Sequence, residues 1–168
     1  MSGDKYPPGT GWINRGNQLI GNQFSFCRPE HPQPKTPGAV IYFDSLISGY
    51  TVRGNFISGA RAGVLVHGGR DTTIVANTFS DVDTAVVMDD GGPQGGWPHE
   101  MCPKAMSRGL QFVNASDAPW NVAFPLAQLA AVPSKLQCRC VDTRVQHNMC
   151  GANIEQFVVE SDTSMLNV

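Results

Sequence analysis

The chain has 168 residues, room for one domain with a sizeable core, and only 15% are charged beside Gly 18 and Pro 12, a profile of short strands and tight turns. A formal net charge of −2 without a basic stripe argues against a nucleic-acid partner. No apolar run of about 18 residues occurs, which excludes a membrane-spanning helix.

Residues 1–16 form a Gly/Pro-rich entry without the apolar stretch of a secretory signal. They lead almost at once into Gln18-Leu19-Ile20-Gly21-Asn22-Gln23-Phe24, the first instance of an apolar, Asn, apolar pattern. Nothing ahead of it is long enough to cap a stack of repeats, so the chain is expected to be a segment of a longer protein, and its compartment is left open. Residues 28–37 carry prolines at 29, 32, 34 and 37, which excludes helix and central strand, and His31 within this loop is expected to be solvated.

The pattern returns as Thr51-Val52-Arg53-Gly54-Asn55-Phe56-Ile57 and as Thr73-Ile74-Val75-Ala76-Asn77-Thr78-Phe79, so that Asn55 recurs as Asn77 at a separation of 22. Between the instances lie short apolar runs: Val40 to Phe43 ending in Asp44, Gly63 to Val66 ending in His67, and Ala85 to Met88 ending in Asp89. The Gly68-Gly69 pair reads as a tight corner, because no helix follows that would make it a phosphate cradle.

From Gly91 the periodicity breaks, and residues 98–139 read as an insertion. Within it, Met101 to Phe112 and Pro125 to Val132 have helix-compatible composition, the second with Pro125 at a first helical position. The repeat resumes with Val141, shows its fourth asparagine at Asn148 after His147, and closes through Asn153 to Val159 before a polar tail.

A period of this length signals stacked coils. Strands of three to five residues, each ended by a turn, make one coil, and the next coil pairs with it in parallel at about 4.8 Å. The four asparagines Asn22, Asn55, Asn77 and Asn148 would then form a ladder of side-chain amides. The fold expected is all-β: a right-handed, single-stranded parallel β-helix (a solenoid) of about four coils, with coils at 14–97 and 140–160 and a partly helical insertion at 98–139. Of the cysteines Cys27, Cys102, Cys138, Cys140 and Cys150, an odd count, Cys150 takes the slot of Phe24, Ile57 and Phe79 and reads as core. The one-residue gap between Cys138 and Cys140 is too short for the usual zinc pair.

In such a stack Asp44, His67 and Asp89 occupy equivalent positions on three consecutive coils. The outer carboxylates would lie about 10 Å apart at the backbone, near the spacing of the paired carboxyls that hydrolyse glycosidic bonds, with His67 between to orient or tune them. Arg70, Tyr42, Asp90 and Trp97 are the candidate substrate-binding residues, the aromatic ones as stacking platforms for sugar rings. Trp120 is expected to anchor the insertion, and His99 to be solvated. A strand-ending Asp or His also often only caps a turn. Calcium would need a clustered carboxylate set such as Asp44, Asp89 and Asp90, and no metal or other cofactor is expected.

The stretch from Ile41 to Gly92, with its His67-Gly68-Gly69-Arg70-Asp71 segment, and the later Ala118-Pro119-Trp120-Asn121 and Phe124-Pro125-Leu126, resemble the right-handed parallel β-helix proteins of the pectin-lyase-like superfamily. The resemblance covers about residues 14–160. It implies a carbohydrate-active domain, glycosidase-like before lyase-like, acting as a monomer on a polysaccharide or oligosaccharide, and extracellular if a longer parent carries a leader. An aspartate pair on adjacent strands is the apparatus it implies, which falls on Asp44 and Asp89. Two positions depart from the family: Ser45 stands where a second Asp is usual, and Gly91 where the turn carries Arg. The alternatives are a non-catalytic β-helix that binds glycan or protein, and an inactive fragment. Geometry separates them, since catalysis requires both carboxylates to face an open groove.

Overall fold

The computed structural model describes residues 15–25, 38–44, 46–89, 101–118, 120–123, 140 and 142–159. They are β-rich, and every strand pairing is parallel. One sheet consists of β1 (Asn17–Ile20), β4 (Tyr50–Arg53), β6 (Thr73–Val75) and β8 (Arg144–Gln146), in the spatial order β1-β4-β6-β8. The other contains β2 (Gln23–Ser25), β5 (Phe56–His67), β7 (Thr78–Asp89) and β10 (Glu155–Val159), with β3 (Ala39–Phe43) beside β5 and β9 (Met149–Cys150) beside β7. Each repeat thus gives one strand to the first sheet, turns, and gives the next to the second.

That turn is built identically in all four repeats. Gly21, Gly54, Ala76 and His147 adopt φ of 67, 63, 54 and 53°. The left-handed conformation favours Gly, and two of the four positions carry it. The residue that follows is each time a ladder asparagine. The backbone N–H and Nδ2 of Asn22 donate to Asn55 Oδ1 at 2.9 and 3.1 Å. Asn55 does the same to Asn77 Oδ1 at 3.0 and 2.9 Å, and Asn77 to Asn148 Oδ1 at 2.9 and 3.0 Å. A second Nδ2 hydrogen of Asn55 and of Asn77 reaches Leu19 O and Val52 O at 2.8 and 3.0 Å. Full pairing is what lets these two polar side chains lie buried in the core wall.

Strand register stacks like on like. Leu19, Val52, Ile74 and Val145 form one inward column, and Phe24, Ile57, Phe79 and Cys150 a second. Ile41, Val64 and Val86, then Phe43, Val66 and Met88, continue the core along the other strands. Cys150 packs against this core as a free thiol. The interior is tight enough that a Cβ at Gly63 would lie 2.4 Å from Phe79 Cε1 and 2.6 Å from Ala85 O.

One feature differs from the sequence expectation. β5 and β7 run for 12 residues each instead of three to five. Gly59 (φ 84°) and Asp81 (φ 50°), flanked by the register pairs Ser58↔Ser80 and Ala60↔Val82, supply the corner by re-aiming both strands without ending their pairing. The helix expected at Met101 to Phe112 is present as α1 (Met101–Phe112), followed by the short α2 (Trp120–Ala123). The helix expected at 125–132 lies outside the described residues. Among the described residues no helix is long and apolar enough to cross a membrane.

Candidate functional site

β3, β5 and β7 lie side by side with Phe43, Val66 and Met88 in register and buried. Period-two alternation therefore turns the next residues, Asp44, His67 and Asp89, to the outer face. Their direct link is an ion-pair geometry: His67 Nδ1 stands 2.9 Å from Asp89 Oδ2. A carboxylate can only accept, so Nδ1 carries the hydrogen, and Nε2 is the acceptor nitrogen of the neutral ring.

Tyr42, two residues before Asp44, lies on the same face, and its hydroxyl donates to Asp44 Oδ1 at 3.1 Å. Its ring meets the His67 imidazole edge-on, with centroids 6.4 Å apart at an interplanar angle of 79°. The phenol pKa is pushed up to about 12, first by burial, then by the charge and hydrogen bond of Asp44 and the charge of Asp89. Tyr42 is therefore a hydrogen-bond donor throughout the physiological range. The site is open toward β3 and enclosed toward β7: Tyr42 is 46% exposed and Asp44 exposed, whereas Leu65 and Val87, its register neighbours, are 2% and 9% exposed.

Of the other expected binding residues, Arg70 is placed elsewhere. Its guanidinium is buried, with Nε 3.1 Å from Asp71 Oδ2 and Nη2 2.5 Å from Asp142 Oδ2. Arg15 Nη2 meets the same Asp71 Oδ2 at 2.9 Å, and burial lowers the Arg15 pKa while Asp71 raises it. Arg70 thus joins two successive repeats, and Arg15 brings the first repeat into the same cluster, at turns where Gly16, Gly49, Asp71 and Asp142 all have positive φ. The Gly68-Gly69 corner between His67 and Arg70 explains the separation. A Cβ at Gly69 would sit 2.0 Å from Ile47 O, so the chain dives against the neighbouring coil there and carries Arg70 inward. Asp90 and Trp97 lie outside the described residues, as do Ser45, Gly91 and His99.

One neighbour of the site was not legible in the sequence. The buried Cys140 thiol donates to Val66 O at 3.4 Å and Asp89 O at 3.3 Å, behind the strand ends that present His67 and Asp89. It follows the 98–139 insertion, which erases its register. The Arg70 cluster did leave a signal, because Asp71-Thr72-Thr73 returns as Asp142-Thr143-Arg144. Among the described residues no group of three or more His, Cys, Asp or Glu side chains is placed to hold a metal ion. No protein-family model, curated protein or solved structure matches this chain.

Proposed function

We propose that the chain is a right-handed parallel β-helix domain whose outer strand face, around Tyr42, Asp44, His67 and Asp89, hydrolyses a glycosidic bond of a polysaccharide or oligosaccharide. The supporting observation is the hydrogen-bonded geometry of two carboxylates on either side of one imidazole: Asp89 paired to His67 at 2.9 Å and Asp44 to Tyr42 at 3.1 Å. Two strand intervals separate the aspartates, about 10 Å at the backbone. Side chains leaning modestly together would bring the carboxyls into the wider spacing of roughly 6.5–9.5 Å that leaves room for a water and inverts the anomeric centre.

In this reading Asp89, oriented by the His67 Nδ1–H, takes the proton of the attacking water. Asp44, on the open side, protonates the departing glycosidic oxygen, with the Tyr42 hydroxyl fixing its orientation. The half-exposed Tyr42 ring offers a sugar face its apolar body. The same ring favours the second reading, a glycan-binding surface without catalysis.

A screen for reducing-end release on a glycan panel, with Asp44→Asn and Asp89→Asn as controls, tests the proposal. Cleavage abolished by both substitutions supports it. Cleavage that survives both overturns the assigned roles, and binding without cleavage leaves the second reading.

A further inference from the structure

The half-exposed ring of Tyr42 lies in the field of both carboxylates of the outer face. Its hydroxyl donates to Asp44 Oδ1 at 3.1 Å, and its edge-on neighbour His67 holds Asp89 at 2.9 Å. Behind burial, the first cause, the charges of Asp44 and of Asp89 both raise the phenol pKa. Negative potential therefore reaches this ring from β3 and from β7. The edge-on contact covers one ring face at most, so the imidazole leaves the other face of Tyr42 uncovered. Leu65 and Val87, the register neighbours of Tyr42, are buried, and an apolar floor screens the carboxylate charges less than water does. An aromatic face beside carboxylates suits an organic ammonium, which is attracted both by the ring and by the charges.

A sugar that carries a carboxylate meets the reverse. Arg70 is the guanidinium in the sequence that could have clamped such a group. Its Nε and Nη2 bond to Asp71 and Asp142 instead, and the Gly68-Gly69 corner, crowded against Ile47 O, carries it inward. A uronate brought to Asp44 and Asp89 would set like charges side by side, a strong discrimination against a partner. A neutral hexose would gain the stacking on Tyr42 without the charge attraction.

We infer, on the reading that this face takes a glycan, that its ligand is an amino sugar with a free amine, a glucosamine-type residue whose ammonium sits against the Tyr42 ring in the field of Asp44 and Asp89. The amine is then the group that sets specificity, and N-acetylation, which removes the charge and keeps the sugar ring, abolishes the advantage.

Calorimetric titration with oligosaccharides of equal length, built from glucosamine, N-acetylglucosamine or galacturonic acid, tests this beside the reducing-end assay. The glucosamine oligomer, with its amines protonated, should bind about tenfold or more tightly than its acetylated form, and added salt should shrink the difference. Tyr42→Phe should keep the preference and Tyr42→Leu should lose most of it. Asp44→Asn and Asp89→Asn together should remove it, with circular dichroism confirming that each variant keeps the fold. Equal binding of the free and acetylated oligomers, tighter binding of the galacturonate oligomer, or no binding of any of the three overturns the inference. Cleavage of neutral or acidic glycans with no preference for the amine also overturns it and leaves hydrolysis in place. Amine-selective binding without cleavage supports it and removes hydrolysis.

Discussion

His67 and Asp89 are register partners on adjacent parallel strands, and their side chains join outside the backbone ladder at 2.9 Å from Nδ1 to Oδ2. Under the proposed hydrolysis this pairing would serve proton transfer, since the carboxylate selects the imidazole tautomer and orients its ring. Replacing Asp89 by Asn keeps the shape but removes the acceptor charge. If the proposed hydrolysis holds, we expect it to fall by about 10²–10⁴-fold, while stability measured by urea unfolding changes by no more than about 1.5–3 kcal/mol, the range of one hydrogen bond to a charged group. Equal losses in stability and activity would assign the pair to the fold.

The Tyr42 phenol supplies an optical test of the same site. Its folded pKa, about 12, lies above the ordinary 10, so the folded state holds the proton more tightly. The stability linked to this group is complete below pH 10 and is lost as the pH rises from about 10 through about 12. A titration of phenolate absorbance, taken as wild type minus Tyr42→Phe, should show a midpoint near 12. Asp44→Asn should lower it without restoring the ordinary value, because burial, the largest cause, persists. A midpoint unmoved by Asp44→Asn would deny the Tyr42–Asp44 contact.

Position in the asparagine ladder should set the cost of losing an amide. Asn77→Ala removes an Oδ1 that receives two bonds and an Nδ2 that gives two, all within the stack. It should cost about 2–4 kcal/mol, since it leaves buried partners unpaired. Asn22→Ala, at the first asparagine of the described ladder, leaves no described asparagine before it unpaired and should cost about 1 kcal/mol. Denaturant unfolding of the two variants should rank them in that order, and the reverse order would contradict the ladder.

Arg70 is predicted to act on stability. It sits in the ion cluster with Asp71 and Asp142, whose side chains are 34% and 66% exposed, so solvent screens part of the interaction. Arg70→Met should cost about 1–3 kcal/mol for that reason, less than a fully buried pair. Unchanged stability with a raised KM for a glycan would return Arg70 to substrate binding.

Gly63→Ala should be more damaging than its size suggests. The new methyl would meet the Phe79 ring and the Ala85 carbonyl at 2.4 and 2.6 Å. The overpacking should cost about 1–3 kcal/mol by thermal or urea unfolding, and a neutral result would contradict this packing, since rotation of Phe79 alone does not relieve the contact with the Ala85 carbonyl.

The sequence by itself determined the repeat, and with it the parallel pairing. Asn22, Asn55, Asn77 and Asn148 recur with apolar residues at constant offsets although the intervals between them differ, and matching those offsets leaves each strand one register in which like side chains coincide. The column of Asp44, His67 and Asp89 was legible for the same reason, as was the core slot of Cys150. Tertiary structure alone decided the rest. Period-two alternation cannot say which neighbours cover an outer face, so the Tyr42–Asp44 bond and the enclosure toward β7 were not readable. Nor can a local pattern foresee that the crowding of Gly69 against Ile47 O turns Arg70 away from the site and into the wall. Periodic spacing fixes which strands meet, whereas the direction of a side chain at a corner depends on backbone angles and on atoms far away in the sequence.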